Sequence, residues 1–294
     1  MSNRLSDVQA RISTVHELES VVSAMRGIAA ARSREARSRL DGIRTCADVI
    51  GAAIGDALRL DQRDTQPAPA EGGAGTHLIV VLCAEQGFVG TFNEHVIEAA
   101  AQLGRASATD YFVIGDRGAV VAAEHGLALG WSAPMVAHAD EVAALADRIT
   151  GALYERLEAD GVTRVTLLHA VPQLAAAIEI VQKSLLPFDF ARFATPARGL
   201  PPLVTLPPPR LLAKLAEEYV FAQLCEAIML SFAAENEARM RAMIAARTNV
   251  HDTLKQLIGD SQRLRQEEIT AEIVELSSGS LASGDTSRKR HPRP

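Results

Sequence analysis

The chain has 294 residues, of which 48 % are hydrophobic and only 4 % aromatic, and its formal net charge is −6. That length allows one large or two medium domains, and scarce aromatics beside abundant Ala, Leu and Arg suit long helices better than a bulky globular core. An acidic balance speaks against a protein that coats nucleic acid or an acidic membrane surface.

Met1 to Asp7 has no apolar signal core, and no apolar run approaches the length that spans a bilayer, so the expectation is a soluble, cytoplasmic protein without direct membrane insertion. A first helix is expected from about Asn3 to Leu60. Leu5, Val8, Ile12, Val15, Val22, Ala29, Ala36, Leu40, Ile43, Ala47, Ile50 and Ile54 recur at three-four spacing, with Glu19, Arg26 and Ser33 as polar exceptions. Such a helix reaches roughly 80 Å at 1.5 Å per residue, and its small middle residues Ala29, Ser33 and Ala36 admit close approach of a second backbone. Asp61 to Gly75, rich in Pro and Gly, reads as a linker.

The middle of the chain alternates strands and helices. His77 to Cys83 is a Val- and Ile-rich run expected as a buried strand, and the glycine loop Gln86 to Asn93 leads into a helix from Asn93 to Leu103. Tyr111 to Gly115 and Leu127 to Trp131 are further strands, with a helix between them. Asp140 to Glu158 is a helix with Val142, Leu145, Ile149 and Leu153 on one face. Arg164 to Ala170 and Ile178 to Leu186 complete the set, close enough in sequence to form a hairpin. This alternation predicts a Rossmann-like α/β domain with a mainly parallel sheet.

Five prolines between Gly199 and Pro209 return the chain to a second long helix, expected over 207–278. Leu215, Ala222, Met229, Met243, Val250, Leu257, Leu264 and Ala271 recur every seven positions, with one polar break at Asn236. Tyr219, Phe232, Met240, Leu254 and Ile269 fill the half-steps. A stripe this narrow is a coiled-coil seam, and its partner is the first helix. The fold class is therefore α/β: a long antiparallel coiled coil of the terminal helices plus the central domain. The divisions are 1–62 for the first helix, 63–75 for the linker, 76–200 for the central domain, 207–278 for the last helix and 279–294 for a disordered basic tail.

Candidate chemistry is sparse. Gly87-Phe88-Val89-Gly90 sits between strand and helix, where a phosphate-binding turn would sit, but the full G-x-G-x-x-G and any G-K-[ST] are absent, and a tight structural turn is the preferred reading. No two of the eight histidines share a helix face at four-residue spacing, and Cys46, Cys83 and Cys225 are odd in number and scattered, so they read as small apolar residues. No catalytic, cofactor or metal residues are assigned. Arg26, Arg32, Arg34, Arg37, Arg39 and Arg44 face only Glu35 and Asp41 on the first helix and form a local basic sleeve, with Arg26, Arg37 and Arg44 on one stripe.

Three segments resemble one family. Ile269-Thr270-Ala271-Glu272-Ile273-Val274-Glu275-Leu276-Ser277-Ser278-Gly279-Ser280, preceded by Arg265-Gln266, is similar to the C-terminal signature of the gamma subunit of rotary F-type ATP synthases. Ala24-Met25-Arg26-Gly27-Ile28-Ala29-Ala30-Ala31-Arg32 and the loop Gln86 to Asn93 resemble the family's two other motifs, in the family's order. The resemblance implies a non-catalytic central-stalk rotor subunit with no cofactor of its own. Its implied partners are the alpha and beta subunits of the hexamer, the epsilon subunit and the membrane c-ring, and it implies a peripheral place on the cytoplasmic face of the bacterial plasma membrane. Met25 and Arg26 would lie near the beta levers, and Arg265, Gln266, Thr270 and Glu272 would form an upper contact with the hexamer. Ser23, where the family favours Lys, and Ser280, where it favours Ala, suggest a divergent branch.

Overall fold

A computed structural model describes residues 2–60, 75–105, 107–159, 161–173, 178–194 and 202–286, with side chains from 4 to 277 within that set. The elements are α1 (Ser2–Leu60), β1 (Thr76–Leu82), α2 (Phe92–Gly104), β2 (Thr109–Ile114), α3 (Asp116–Glu124), β3 (Leu129–Ala133), α4 (Val142–Glu158), β4 (Val162–Val171), β5 (Glu179–Leu186) and α5 (Pro208–Thr286). The expected linker lies outside the described residues apart from Gly75. The last helix does not stop at 278 but continues to Thr286, into the segment expected as tail, and 287–294 lie outside the description.

The chain divides into two compact units. One comprises Met1–Arg26 with Met243–Pro294, the other Gly27–Ala242. Each therefore contains a length of both long helices, and the larger unit takes in more than the central domain expected from the sequence.

The larger unit is organised by a five-stranded sheet of order β3-β2-β1-β4-β5. β1 pairs in parallel with β2 and β4, β2 in parallel with β3, and β5 closes the edge antiparallel to β4. β1 is buried from His77 to Leu82, as a central strand covered on both faces must be. One face carries Ile79, Val81 and Val113 against Val96 and Ile97 of α2 and Ala122 of α3. The other carries Val80, Leu82, Phe112 and Leu167 against Leu145 and Ile149 of α4, Leu224, Ile228 and Phe232 of α5, and Ala36 and Leu40 of α1. A third cluster joins Ile54 and Ala57 of α1 to Leu212 of α5, with Phe188, Phe193 and Tyr219 around it. Gly115 turns the chain from β2 into α3 at φ 106°, where a Cβ would stand 2.7 Å from the Cys83 carbonyl oxygen.

In this unit α5 departs from the narrow-seam expectation. From Ala222 to Arg239 every residue is buried except Glu226, which is partly buried. The helix here has α1 on one side and the sheet on the other, so apolar residues outside the heptad positions, such as Leu224, Ile228, Leu230 and Ala234, are buried too. Ala29, Ser33 and Ala36 are all buried, and Ser33 Oγ donates to Glu237 Oε1 at 3.3 Å.

In the smaller unit the two helix ends lie side by side with opposite sense. Glu19 of α1 approaches Arg247 of α5 at 4.0 Å, whereas Arg4, Asp7 and Val8 line one groove with Asp260, Arg263, Leu264 and Glu267. Val22, Met243, Val250 and Leu254 are buried and Leu5, Val8, Ile12, Val15, Leu257 and Leu264 partly so, which places the expected stripe at their interface. Ile269 is the exception: it is 50 % exposed, not a seam residue, and the partly buried position is Glu268.

Candidate functional site

The glycine loop leaves the C-terminal end of β1 and is held by specific polar contacts. Asn93 Oδ1 accepts the Ala84 N–H at 2.9 Å, and one Glu85 oxygen accepts the N–H groups of Asp116 at 3.1 Å and Met135 at 2.8 Å. Phe88 and Gly90 both adopt φ 61°, and the Phe88 ring is 68 % exposed. A non-glycine residue at positive φ carries local strain that the surrounding contacts must hold.

The loop meets α5 through Arg239. Its Nε donates to the Gly87 carbonyl at 3.4 Å and its Nη2 to the Gln86 carbonyl at 3.3 Å. Nη2 also donates to Glu235 Oε1 at 2.6 Å, and Nη1 to Asn236 Oδ1 at 3.1 Å, while Asn236 Nδ2 donates to the Phe232 carbonyl. The polar break in the heptad therefore orients a buried guanidinium. Burial pushes the Glu235 carboxyl above the ordinary glutamate range, against the opposing pull of Arg239. A phosphate-binding turn points N–H groups at its ligand; here the carbonyls of Gln86 and Gly87 face the Arg239 guanidinium, and the backbone of Glu85 and Gln86 hydrogen-bonds the Glu235 carboxylate, so the turn's polar groups are taken up within the protein.

Thirteen residues earlier, Glu226 makes a second tie. It accepts from Arg44 Nε of α1 at 2.9 Å and from Lys183 Nζ of β5 at 3.0 Å. Burial raises its pKa, but the two hydrogen bonds and charges outweigh that, and the carboxyl lies below its ordinary value. Arg37 likewise pairs with the buried Glu237 of α5. The basic sleeve expected on α1 is thus partly neutralised from within: Arg37 and Arg44 have acidic partners on α5, and Arg39 pairs with Glu35.

The residues singled out in sequence for partner contact all belong to the smaller unit. Met25 and Arg26 are partly buried on α1, and Arg265, Gln266, Thr270 and Glu272 are exposed on α5. The Thr270 hydroxyl donates back to the Gln266 carbonyl at 2.8 Å. The structure does not bring the two groups together. Arg4 and Asp7 lie level with Asp260 to Glu267, so Arg26 is about 30 Å away along α1 from the level of Arg265.

Sequence reasoning missed the apolar residues that accompany each group. Leu18, Val21 and Ile28 are 49 %, 54 % and 54 % exposed on α1, and with Met25 they follow three-four-three spacing, a second stripe beside the seam. Ile269, Ile273, Val274 and Leu276 are 50–75 % exposed beside Arg265, Gln266 and Thr270. Exposed apolar side chains grouped on a helix mark a contact surface. Among the described residues no group of His, Cys, Asp and Glu is arranged to hold a metal ion, and no helix is long and apolar enough to cross a membrane.

Comparison with known proteins places these features in a family. The family model described as "ATP synthase" matches residues 4–282. The chain is similar to the ATP synthase gamma chain of Frankia casuarinae, 30 % identical over 97 % of this chain and 100 % of that one. It is similar also to that of Rhodospirillum rubrum, at 28 % identity over 95 % and 99 %. Its fold is similar to a chain in the mitochondrial ATP synthase OSCP/F1/c-ring assembly of Euglena gracilis, with TM-score 0.66, 12 % identity, and 100 % and 98 % of the two chains covered. A chain of the central stalk/c-ring structure from Tetrahymena thermophila gives TM-score 0.56 at 19 % identity, over 77 % of this chain and 99 % of that one.

Proposed function

Because the chain belongs to the ATP synthase gamma-chain family, we propose that it is the central-stalk rotor subunit of an F-type ATP synthase, coupling ion-driven rotation of a membrane c-ring to conformational change in an alpha/beta hexamer. The observation that carries this reading is the extent of the match, which runs through both terminal helices and the sheet between them over residues 4–282. Catalysis and Mg-ATP belong to the beta subunits in this reading, and the chain acts mechanically, held peripherally at the cytoplasmic face of the membrane by the c-ring and the epsilon subunit.

The geometry supports a rotor in two ways. The antiparallel helix ends present unlike surfaces along their length: the partly buried Met25 and Arg26 beside exposed Leu18, Val21 and Ile28, and, about 30 Å along α1, exposed Arg265, Gln266, Thr270 and Glu272 beside exposed Ile269 and Ile273. A surface that differs from face to face favours a different conformation in each beta subunit it meets, which is a population shift through differential contact. In addition, the sheet is tied to both long helices by charged groups, through Lys183, Glu226 and Arg44. The proposed contacts are Met25 and Arg26 with the beta levers, and Arg265, Gln266, Thr270 and Glu272 with the upper loops of the hexamer.

Co-expression with the alpha, beta and epsilon subunits from the same genome tests the reading. A complex with one copy of this chain per hexamer is the expected result, and elution of the chain apart from an intact hexamer would refute it. Replacing protons by sodium in reconstituted vesicles then identifies the coupling ion.

A further inference from the structure

The segment of α5 between Ala222 and Arg239 is held mainly by apolar contact, with Ala, Leu, Ile, Met and Phe facing both α1 and the sheet. Apolar contact resists separation but is non-directional, so by itself it offers little resistance to a helix turning or sliding against a sheet under load. Two charged clusters at different levels stand out among the directional contacts between α5 and the sheet body, beside Arg241 Nη1 donating to the Gln173 carbonyl at 3.5 Å and a hydrogen bond between Glu217 and Tyr154 of α4. At one, Glu226 accepts from Lys183 of β5 while also accepting from Arg44 of α1. At the other, Arg239 donates to the carbonyls of Gln86 and Gly87, with its guanidinium fixed by Glu235 and Asn236. Ser231 adds one bond between them, to the Leu82 carbonyl at 3.3 Å.

The two levels are thirteen residues apart, about 20 Å along the helix, and their side chains leave it on faces turned by roughly 140°. Two ties separated along an axis and around it oppose both translation and rotation. The Arg239 tie is the more buried: its side chain is 6 % exposed and that of Glu235 4 %. The Arg239–Glu235 pair lies within α5 and fixes the guanidinium, whose bonds to the two loop carbonyls are 3.3 and 3.4 Å long.

Resting on the rotor reading, the geometry points to Arg239 as a positioning residue for energy coupling: pinned by Glu235 and Asn236, it locks the glycine loop to α5 so that torque on the sheet body reaches the helix pair without slip, with Glu226 as the second anchor. Arg239 touches neither nucleotide nor ion. Its effect passes through the loop, and the residue matters most when the rotor works against a load.

The test uses the assembled enzyme in vesicles, with ATP hydrolysis and ion pumping measured together against increasing opposing ion gradients. The variants are Arg239→Lys, Asn236→Ala and the double change Glu235→Gln with Arg239→Met, which leaves no buried charge unpaired. For the double variant the expected result is hydrolysis within about twofold of wild type at zero gradient, at least a threefold fall in ions pumped per ATP, and stalling at a smaller opposing gradient. Arg239→Lys keeps the pair with Glu235 but cannot span both carbonyls, and Asn236→Ala leaves the guanidinium less fixed; both shift the stall point in the same direction by less. If the double variant fails to assemble, the two single variants carry the test. Assembled variants that pump per ATP like wild type at every gradient overturn the inference and leave the cluster a purely structural role. Failure of the rotor reading itself looks different, since the wild-type chain would then not join the hexamer or support pumping at all.

Discussion

Replacing Arg239 by Ala removes one half of a buried ion pair and leaves Glu235, 4 % exposed, without its cation. Losing one partner of such a pair costs about 3–5 kcal/mol when the remaining charge persists. Glu235 has a way to reduce that cost, because it can take up a proton. Burial already places its carboxyl above the ordinary 4.5, and removing Arg239, which holds it down, raises it further. A carboxyl whose folded value is raised binds its proton more tightly in the native than in the unfolded state. The stability linked to that proton is fully present below the unfolded value and is lost as the pH rises through the folded value, at up to about 1.4 kcal/mol per unit. The variant is therefore expected to differ least from wild type near pH 5 and to fall progressively further behind towards pH 8. The single Trp131 lies against Phe112, ring centres 5.3 Å apart, and reports unfolding of this unit in urea by its fluorescence. The control is Glu235→Gln with Arg239→Met, which should lose less and show no such pH dependence. A loss under about 1 kcal/mol, or one equal at pH 5, 6.5 and 8, would refute the reasoning.

Three further outcomes are expected. Glu226→Gln should cost about 1 kcal/mol at neutral pH and nothing additional in acid: the carboxyl is held below 4.5, so its contribution is present above that value and disappears as the pH falls through the depressed one, and acid unfolding curves of variant and wild type should converge there. Asn236→Leu restores an unbroken heptad yet should destabilise by about 1 kcal/mol, because Arg239 Nη1 loses its acceptor; a gain in urea midpoint would show the break has no structural purpose. Arg37→Glu and Arg44→Glu should each lower the midpoint by setting like charges against Glu237 and Glu226, whereas Arg26→Glu should leave it within about 0.5 kcal/mol; equal effects at all three positions would mean that the pairs on α5 do not distinguish them.

The long helices, the sheet and its one antiparallel edge were legible because each rests on a period that survives in sequence: three-four spacing in α1, apolar runs in β1 and β4. What was lost is whatever depends on a residue far away in the chain. Arg37 and Arg44 look like an unbalanced sleeve when charges are counted along α1 alone, and their partners Glu237 and Glu226 are some 200 and 182 residues distant. The same holds for Asn236, a blemish in a heptad until Arg239 and the loop carbonyls are placed beside it. Ile269 was placed at a half-step of the seam, but seven-residue steps from Leu254 reach Glu268, the partly buried position, and Ile269 beside it is exposed. At the candidate contact surface the residues named came from resemblance. The adjoining stripe of Leu18, Val21, Met25 and Ile28 was visible at its own three-four-three spacing, but a helix with two apolar stripes is easily read as having one.

The burial of α5 against the sheet also sets the order in which this protein can be finished. β5 ends at Leu186, but the helix segment that covers Val80, Leu82 and Phe112 extends to Arg239. During synthesis at about 5–20 residues per second, roughly 3–10 s separate the two. Throughout that interval the apolar face of the nascent sheet lacks its α5 cover, with only α4 and the Ala36–Leu40 stretch of α1 available to close it. A fragment ending near residue 200 stays permanently at that stage. Synthesis of α5 as far as Arg239, not completion of the sheet, is thus the step that supplies the missing cover, and a nascent-chain chaperone would meet its binding surface between those two events.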